Sequence, residues 1–158
     1  MKKLLIFSIV LSAINATAQP FIGMQVNSIG AGLHAGYQSH INSNDEGISG
    51  EAILFTIGMN HTLLSSTNPS LYYSTIGYVY SFGGNQEAFN ISTYAGIALQ
   101  TYKDFTQYDL GTGPINSVKE IKPYYNIELG KDWYKGRLYI NAGYSKRIFF
   151  GIGIKAFF

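Results

Sequence analysis

Phe149-Phe150-Gly151-Ile152-Gly153-Ile154-Lys155-Ala156-Phe157-Phe158 is the stretch from which the fold is read. Phe150, Ile152, Ile154, Ala156 and Phe158 share one parity, while Gly151, Gly153, Lys155 and Phe157 share the other. A repeat of two belongs to a strand, whose successive side chains leave opposite faces of a sheet, and no helical spacing reproduces it. One face of this strand is wholly apolar. The opposite face carries glycines and a lysine, so two different environments meet across a single backbone.

Working backwards, the same alternation recurs. Leu138, Ile140, Ala142 and Tyr144 oppose Arg137, Tyr139, Asn141 and Gly143, and Tyr125, Ile127 and Leu129 oppose Tyr124, Asn126 and Glu128. Phe89, Ile91, Ala95, Ile97 and Leu99 face away from Asn90, Ser92, Tyr94, Gly96 and Gln100. Two earlier strands centre on Ile76, Tyr78, Tyr80 and Phe82 and on Ile53, Phe55, Ile57 and Met59, with Val79 and Leu54 as apolar exceptions on the polar side. Near the start, Ile22, Met24 and Val26 are followed by Ile29, Ala31, Leu33, Ala35 and Tyr37, and Asn27-Ser28 between them predicts a two-residue hairpin turn. The count is about eight strands.

The chain of 158 residues is 46% hydrophobic and only 13% charged, with 18 Gly, 13 Tyr, 10 Phe and no Cys. Soluble domains carry about 25% charge. Uninterrupted apolar runs long enough for membrane helices are missing from a chain whose mean hydropathy is +0.05. An apolar face that met water on every strand would aggregate. Facing lipid, it is what a closed barrel needs, because only closure satisfies every strand N–H and C=O in hydrocarbon. The fold class expected is therefore all-β: an antiparallel up-and-down transmembrane β-barrel. Inward glycines would make room for Tyr94, Tyr124 and Tyr139.

Ahead of the barrel, Met1-Lys2-Lys3, the apolar run from Leu4 to Ile14, and Ala16-Thr17-Ala18 have the three parts of a secretory signal peptide. Residues 1–18 are expected to be removed, leaving 19–158 as the barrel domain. Loss of Lys2 and Lys3 takes the formal charge of +2 to zero, which excludes a basic nucleic-acid binder. Without Cys there is no lipoprotein anchor, disulfide or thiol chemistry.

On these features the mature chain resembles the small eight-stranded outer-membrane proteins of Gram-negative bacteria, the OmpX/OmpA-like superfamily, in the Tyr- and Gly-rich style of Bacteroidota. The resemblance implies residence in the outer membrane, contact with its lipid and lipopolysaccharide, and a C-terminal aromatic, Phe158, read by the barrel-assembly machinery. It further implies a non-enzymatic envelope or surface-interaction role. The alternatives are a narrow channel or an accessory subunit of an envelope secretion complex, and then a lipid-modifying barrel enzyme, whose His-x-Ser arrangement is missing from this sequence.

An even strand count places both termini in the periplasm. Residues 63–71 and 104–120 then become external loops, 82–87 and 131–136 short periplasmic turns, and 39–50 an anomalously long periplasmic connection. Pro123 is expected at the outer rim or at a bulge, because a closed barrel has no edge strand to tolerate its missing N–H. Phe105, Tyr108 and Leu110 on the longest loop are candidate contacts for a surface protein or glycan. Taking Tyr144 opposite Ile148 sets Arg137 opposite Lys155, with Glu128 between the two cations in the lumen.

Catalytic, cofactor and metal sites are not expected. His34, His40 and His61 share neither a face nor a metal-ligand spacing, and the acidic stretch 42–47 lacks the Glu of a calcium loop at its twelfth position, which is Ile53. Asn60-His61-Thr62 and Asn90-Ile91-Ser92 match a glycosylation sequon that a bacterial barrel would not use. Ser145-Lys146-Arg147 reads as a solvated basic turn.

Overall fold

A computed structural model describes residues 18–43, 49–61, 70–83, 88–109 and 113–158, with the backbone alone at 42–43, 49, 102–109 and 113–117. The signal segment thus lies outside the described residues except for Ala18. Eight strands follow one another: β1 (Ala18–Asn27), β2 (Gly30–Ser43), β3 (Ser49–His61), β4 (Ser70–Phe82), β5 (Phe89–Asp109), β6 (Gly113–Trp133), β7 (Gly136–Ser145) and β8 (Arg147–Phe157). Each pairs antiparallel with the next, and β1 pairs with β8, closing the barrel. Tracing the register from Ala18 through Ser39, Ile53, Tyr78, Thr93, Ile127 and Ala142 to Phe150 arrives beside Ser28 instead of at Ala18. That stagger is the mark of strongly tilted strands, about 35–45° in barrels of this kind.

The predicted faces are the observed ones. Ile22, Met24, Val26, Phe55, Ile76, Ile97, Ile127, Ile140, Phe150 and Ile152 are exposed, while Gln25, His34, Thr56, Asn60, Asn126, Glu128, Arg137, Asn141 and Lys155 are buried. The exterior is apolar and the charged and amide side chains of the strands lie inside, the reverse of a soluble barrel. Between Glu51 and Lys131 near one end and Lys119 near the other, the outward face of the described strands carries no charge. Aromatic side chains concentrate at the end that holds the termini: Tyr78, Tyr80, Phe82, Phe89, Trp133 and Phe158 point outward there, with Tyr80 and Phe82 stacked and Phe82 stacked on Phe89. Tyr72, Tyr125, Tyr144 and Phe150 line the opposite, loop-bearing end. Two such girdles frame the apolar band of a membrane barrel.

Several connections differ from expectation. The first turn is Ser28-Ile29, one residue later than predicted, because the Asn27 side-chain oxygen accepts from the N–H groups of Ile29 and Gly30 at 2.9 and 3.0 Å and so fixes Asn27 opposite Gly30. The long connection at 39–50 is mostly strand, since β2 runs to Ser43 and β3 begins at Ser49, with a bulge between His40 and Asn42. The described residues of 104–120 are likewise strand and not loop. β5 and β6 are 21 residues each and continue as a hairpin to Asp109 and Gly113, with a register shift between Asp104 and Tyr108. Beyond the rim neither face of that hairpin is imposed by lipid, so the alternation that reveals strands elsewhere is lost.

Pro123 sits within this continuous ladder, opposite Ile97 and not at a bulge. Pairing of β6 with β7 begins only at Tyr125, so the edge of β6 facing β7 is open at Pro123 and can accommodate a residue without a donor.

Candidate functional site

Chemistry-bearing side chains gather in the lumen, which is built in three layers. At the terminal end Phe21, Ala52, Leu54, Val79, Tyr94 and Phe157 form an apolar layer. Leu54 and Val79, the two apolar exceptions of the sequence pattern, are fully buried within it. At the loop end Leu71, Tyr73, Ala98, Tyr124 and Phe149 form a second apolar layer, with Ile29 against it. Tyr73 stacks on Tyr124 with ring centroids 4.6 Å apart. Glycine makes these packings feasible: a side chain on Gly153 would collide with the Tyr139 ring and one on Gly77 with Tyr94.

Between the apolar layers lies a polar one. Glu128 and Lys155, 4% and 1% exposed, form an ion pair through Glu128 Oε2. The Tyr94 hydroxyl donates to the same oxygen at 2.7 Å and accepts from Lys155 Nζ at 2.7 Å, while Asn126 donates to Glu128 Oε1 at 3.2 Å. The carboxylate therefore has a partner on each oxygen, which a charge removed from water requires. The Lys155 ammonium also lies 4.7 to 5.4 Å from the ring centroids of Tyr139, Tyr94 and Phe21. From Asn126 the network continues: Asn141 donates to Asn126 and to Gln25, and Gln25 donates to Asn60 at 3.0 Å. His34 Nε2 is 3.4 Å from the Tyr139 hydroxyl.

The structure sets Arg137 opposite Lys155, and Tyr144 opposite Ile148, as the register argument expects. Glu128, however, faces Asn141 on β7 and does not bridge two cations. Arg137 belongs to a separate pair with Asp132, donating from Nε at 2.6 Å and from Nη2 at 3.1 Å, and it lies over the Phe157 ring. Sequence reasoning overlooked Asp132 because it assigned 131–136 to a turn, whereas β6 continues to Trp133 and the turn is confined to 134–135. The signal was available, since Asp132 and Arg137 flank that turn and are cross-strand partners.

No group of His, Asp or Glu side chains suited to a metal ion exists among the described residues. Of the candidate contact residues, Phe105 and Tyr108 fall where only the β5 backbone is described, and Leu110 lies outside the described residues. Phe158 is exposed at the terminal end, its N–H bonded to the Pro20 carbonyl at 3.0 Å. The arrangement holds charge inside a plugged barrel. Large side chains fill it across its width, as the interior of a barrel of about eight strands usually is.

No protein-family model matches the chain, and neither does any curated protein. Solved structures do. The N-terminal β-barrel domain of Pseudomonas aeruginosa OprF superposes with a TM-score of 0.52 at 11% identity, over 89% of this chain and 97% of that one. Ail, the attachment invasion locus protein of Yersinia pestis, gives 0.50 at 11% identity over the same shares. Its complex with the heparin analogue sucrose octasulfate gives 0.47 at 13% identity. The fold is thus that of the small eight-stranded outer-membrane barrels, as the sequence resemblance implies.

Proposed function

We propose that this protein is a non-enzymatic integral component of the bacterial outer membrane, acting in envelope integrity or surface contact through the segments at its loop end. The observation that carries this reading is the inversion of polarity in a closed barrel. An exterior of Ile, Leu, Met, Phe and Tyr between two aromatic girdles surrounds an interior holding Glu128, Lys155, Arg137 and a chain of amides. Outer-membrane lipid and lipopolysaccharide are the surroundings that such an exterior fits. The terminal strand ending in Phe158 fits recognition by the barrel-assembly machinery.

Surface contact is assigned to the β5–β6 hairpin, which projects beyond the other strands and includes Phe105 and Tyr108, with Leu110 following β5. Aromatic residues carried on such a projection are candidate anchors for a protein or glycan.

Fractionation of expressing cells, with mass spectrometry of the mature N-terminus, tests the address. The expected product is an outer-membrane protein beginning at Gln19 that migrates differently on gels before and after boiling. Recovery as a soluble periplasmic protein would overturn the reading.

A further inference from the structure

On the outward wall formed by β7, β8, β1, β2 and β3 runs an apolar furrow of about 520 Å³. It climbs from Leu138 and Ile154, near the terminal end, between Met24 and Met59, to Ala31 and His61 at the loop end. Ala31 is the cross-strand partner of His61, and its small side chain leaves the hollow at the furrow's head. There His61 meets Ser70, its partner on β4, with Nδ1 3.0 Å from Oγ. An apolar trough thus ends in a hydrogen-bonding pair at the level where the band gives way to the loops.

We propose that this furrow is a binding site for one acyl chain of an outer-leaflet lipid, with the lipid's ester or hydroxyl group held at the His61–Ser70 pair. The inference rests on the membrane reading above. It goes further by distinguishing one wall of the barrel from the rest. Met24 and Met59 suit the task, because an unbranched thioether adapts to a flexible chain that branched side chains would hold less closely. Polarity sets the orientation, with the chain along the apolar trough and the oxygen-bearing head at the rim. Another furrow lies beside Ala95 and Thr93 on the β3–β6 wall, lined by Tyr125 and Ile127, but its hydrogen-bonding pair, Tyr78 with Glu51, lies toward the terminal end and not at the loop rim.

The test uses the mature chain refolded into phosphatidylcholine vesicles containing phosphatidylethanolamine with a diazirine midway along one acyl chain. After illumination, peptide mass spectrometry locates the adducts. Adducts are expected several-fold more often on the peptides carrying Met24 and Met59 than on those carrying Ile76 and Ile97. Ala31→Phe should abolish that preference, His61→Ala should reduce it, and Ala95→Phe on the other wall should leave it unchanged, all with wild-type heat-dependent gel mobility. Adducts spread evenly around the barrel would overturn the furrow while leaving the membrane reading intact. Adducts absent from every wall would defeat the membrane reading itself. Lipid adducts missing from the furrow alone, together with a dimer trapped by glutaraldehyde in the same vesicles, would identify its occupant as a second copy, against the proposal.

Discussion

Glu128 and Lys155 show how a membrane barrel handles charge at the scale of single residues. Both are buried, and each is satisfied by the other and by the Tyr94 hydroxyl. Removing one partner leaves an uncompensated charge, which costs about 3–5 kcal/mol in dry sites. Glu128→Ala should therefore lower unfolding stability in vesicles by about 3 kcal/mol. Because Arg137 is held by Asp132, only one cation is orphaned. Glu128→Ala combined with Lys155→Met should regain most of the loss, since replacing both members of a buried pair by apolar groups is often neutral. Urea titration of the wild type and these two variants decides the matter. A double variant no more stable than Glu128→Ala would show that the lysine charge is not what the glutamate compensates.

Among the elements, strands within the apolar band were legible from parity, and Arg137 opposite Lys155 followed once Tyr144 was set opposite Ile148, whereas the first hairpin's register needed the Asn27 side chain. The β5–β6 projection was not, because a two-stranded ribbon beyond the rim has no lipid on one side to enforce alternation, and its residues read as a loop. Leu54 and Val79 broke the pattern for the opposite reason. The lumen has apolar layers of its own, so an apolar residue on the inward face marks a plug and not an error in register. Asp132 shares the inward parity of Asn126 and Glu128 and was missed only because 131–136 read as a turn, while β6 runs on to Trp133. The elements also differ in what they support. The outer part of β5–β6 extends past the last β4–β5 pair at Ser70–Thr101 and the first β6–β7 pair at Tyr125–Tyr144. Below residues 106–118, Glu120 ties it to Lys146 of the β7–β8 turn, so the described strands pair residues 106–109 and 113–118 only within the hairpin itself. Deleting residues 106–118 and joining the ends with a short Asn-Gly turn should leave heat-modifiable folding intact, while any adhesion or ligand binding measured on whole cells disappears. Failure to fold would show that the projection packs over the barrel mouth, and retained binding would move the contact surface elsewhere.

For the whole molecule, the question is whether a closed barrel of this width conducts. Two apolar layers lie in series along the axis, one around Phe21, Leu54, Val79 and Phe157 and the other around Tyr73, Tyr124 and Phe149, with the charged layer between them. An ion crossing either apolar layer must shed most of its water between rings and aliphatic side chains, since the nearest charges, Arg137 over Phe157 and Lys155 over Phe21, are already paired, and burial of an unpaired charge is among the costliest events in a protein. The wild-type barrel should accordingly show no steady conductance in a planar bilayer. The series arrangement makes a sharper prediction than simple closure. Opening the loop-end layer with Tyr124→Ala and Phe149→Ala leaves the terminal layer intact, and opening the terminal layer with Phe21→Ala and Phe157→Ala leaves the loop-end layer intact. Each pair alone should stay silent. Only the four substitutions together connect both sides through the hydrated polar layer, where Glu128 and Lys155 would then meet passing ions. Conductance from either pair by itself would mean that the layers do not block independently, and silence of the fourfold variant with wild-type gel mobility would place the barrier in the polar layer.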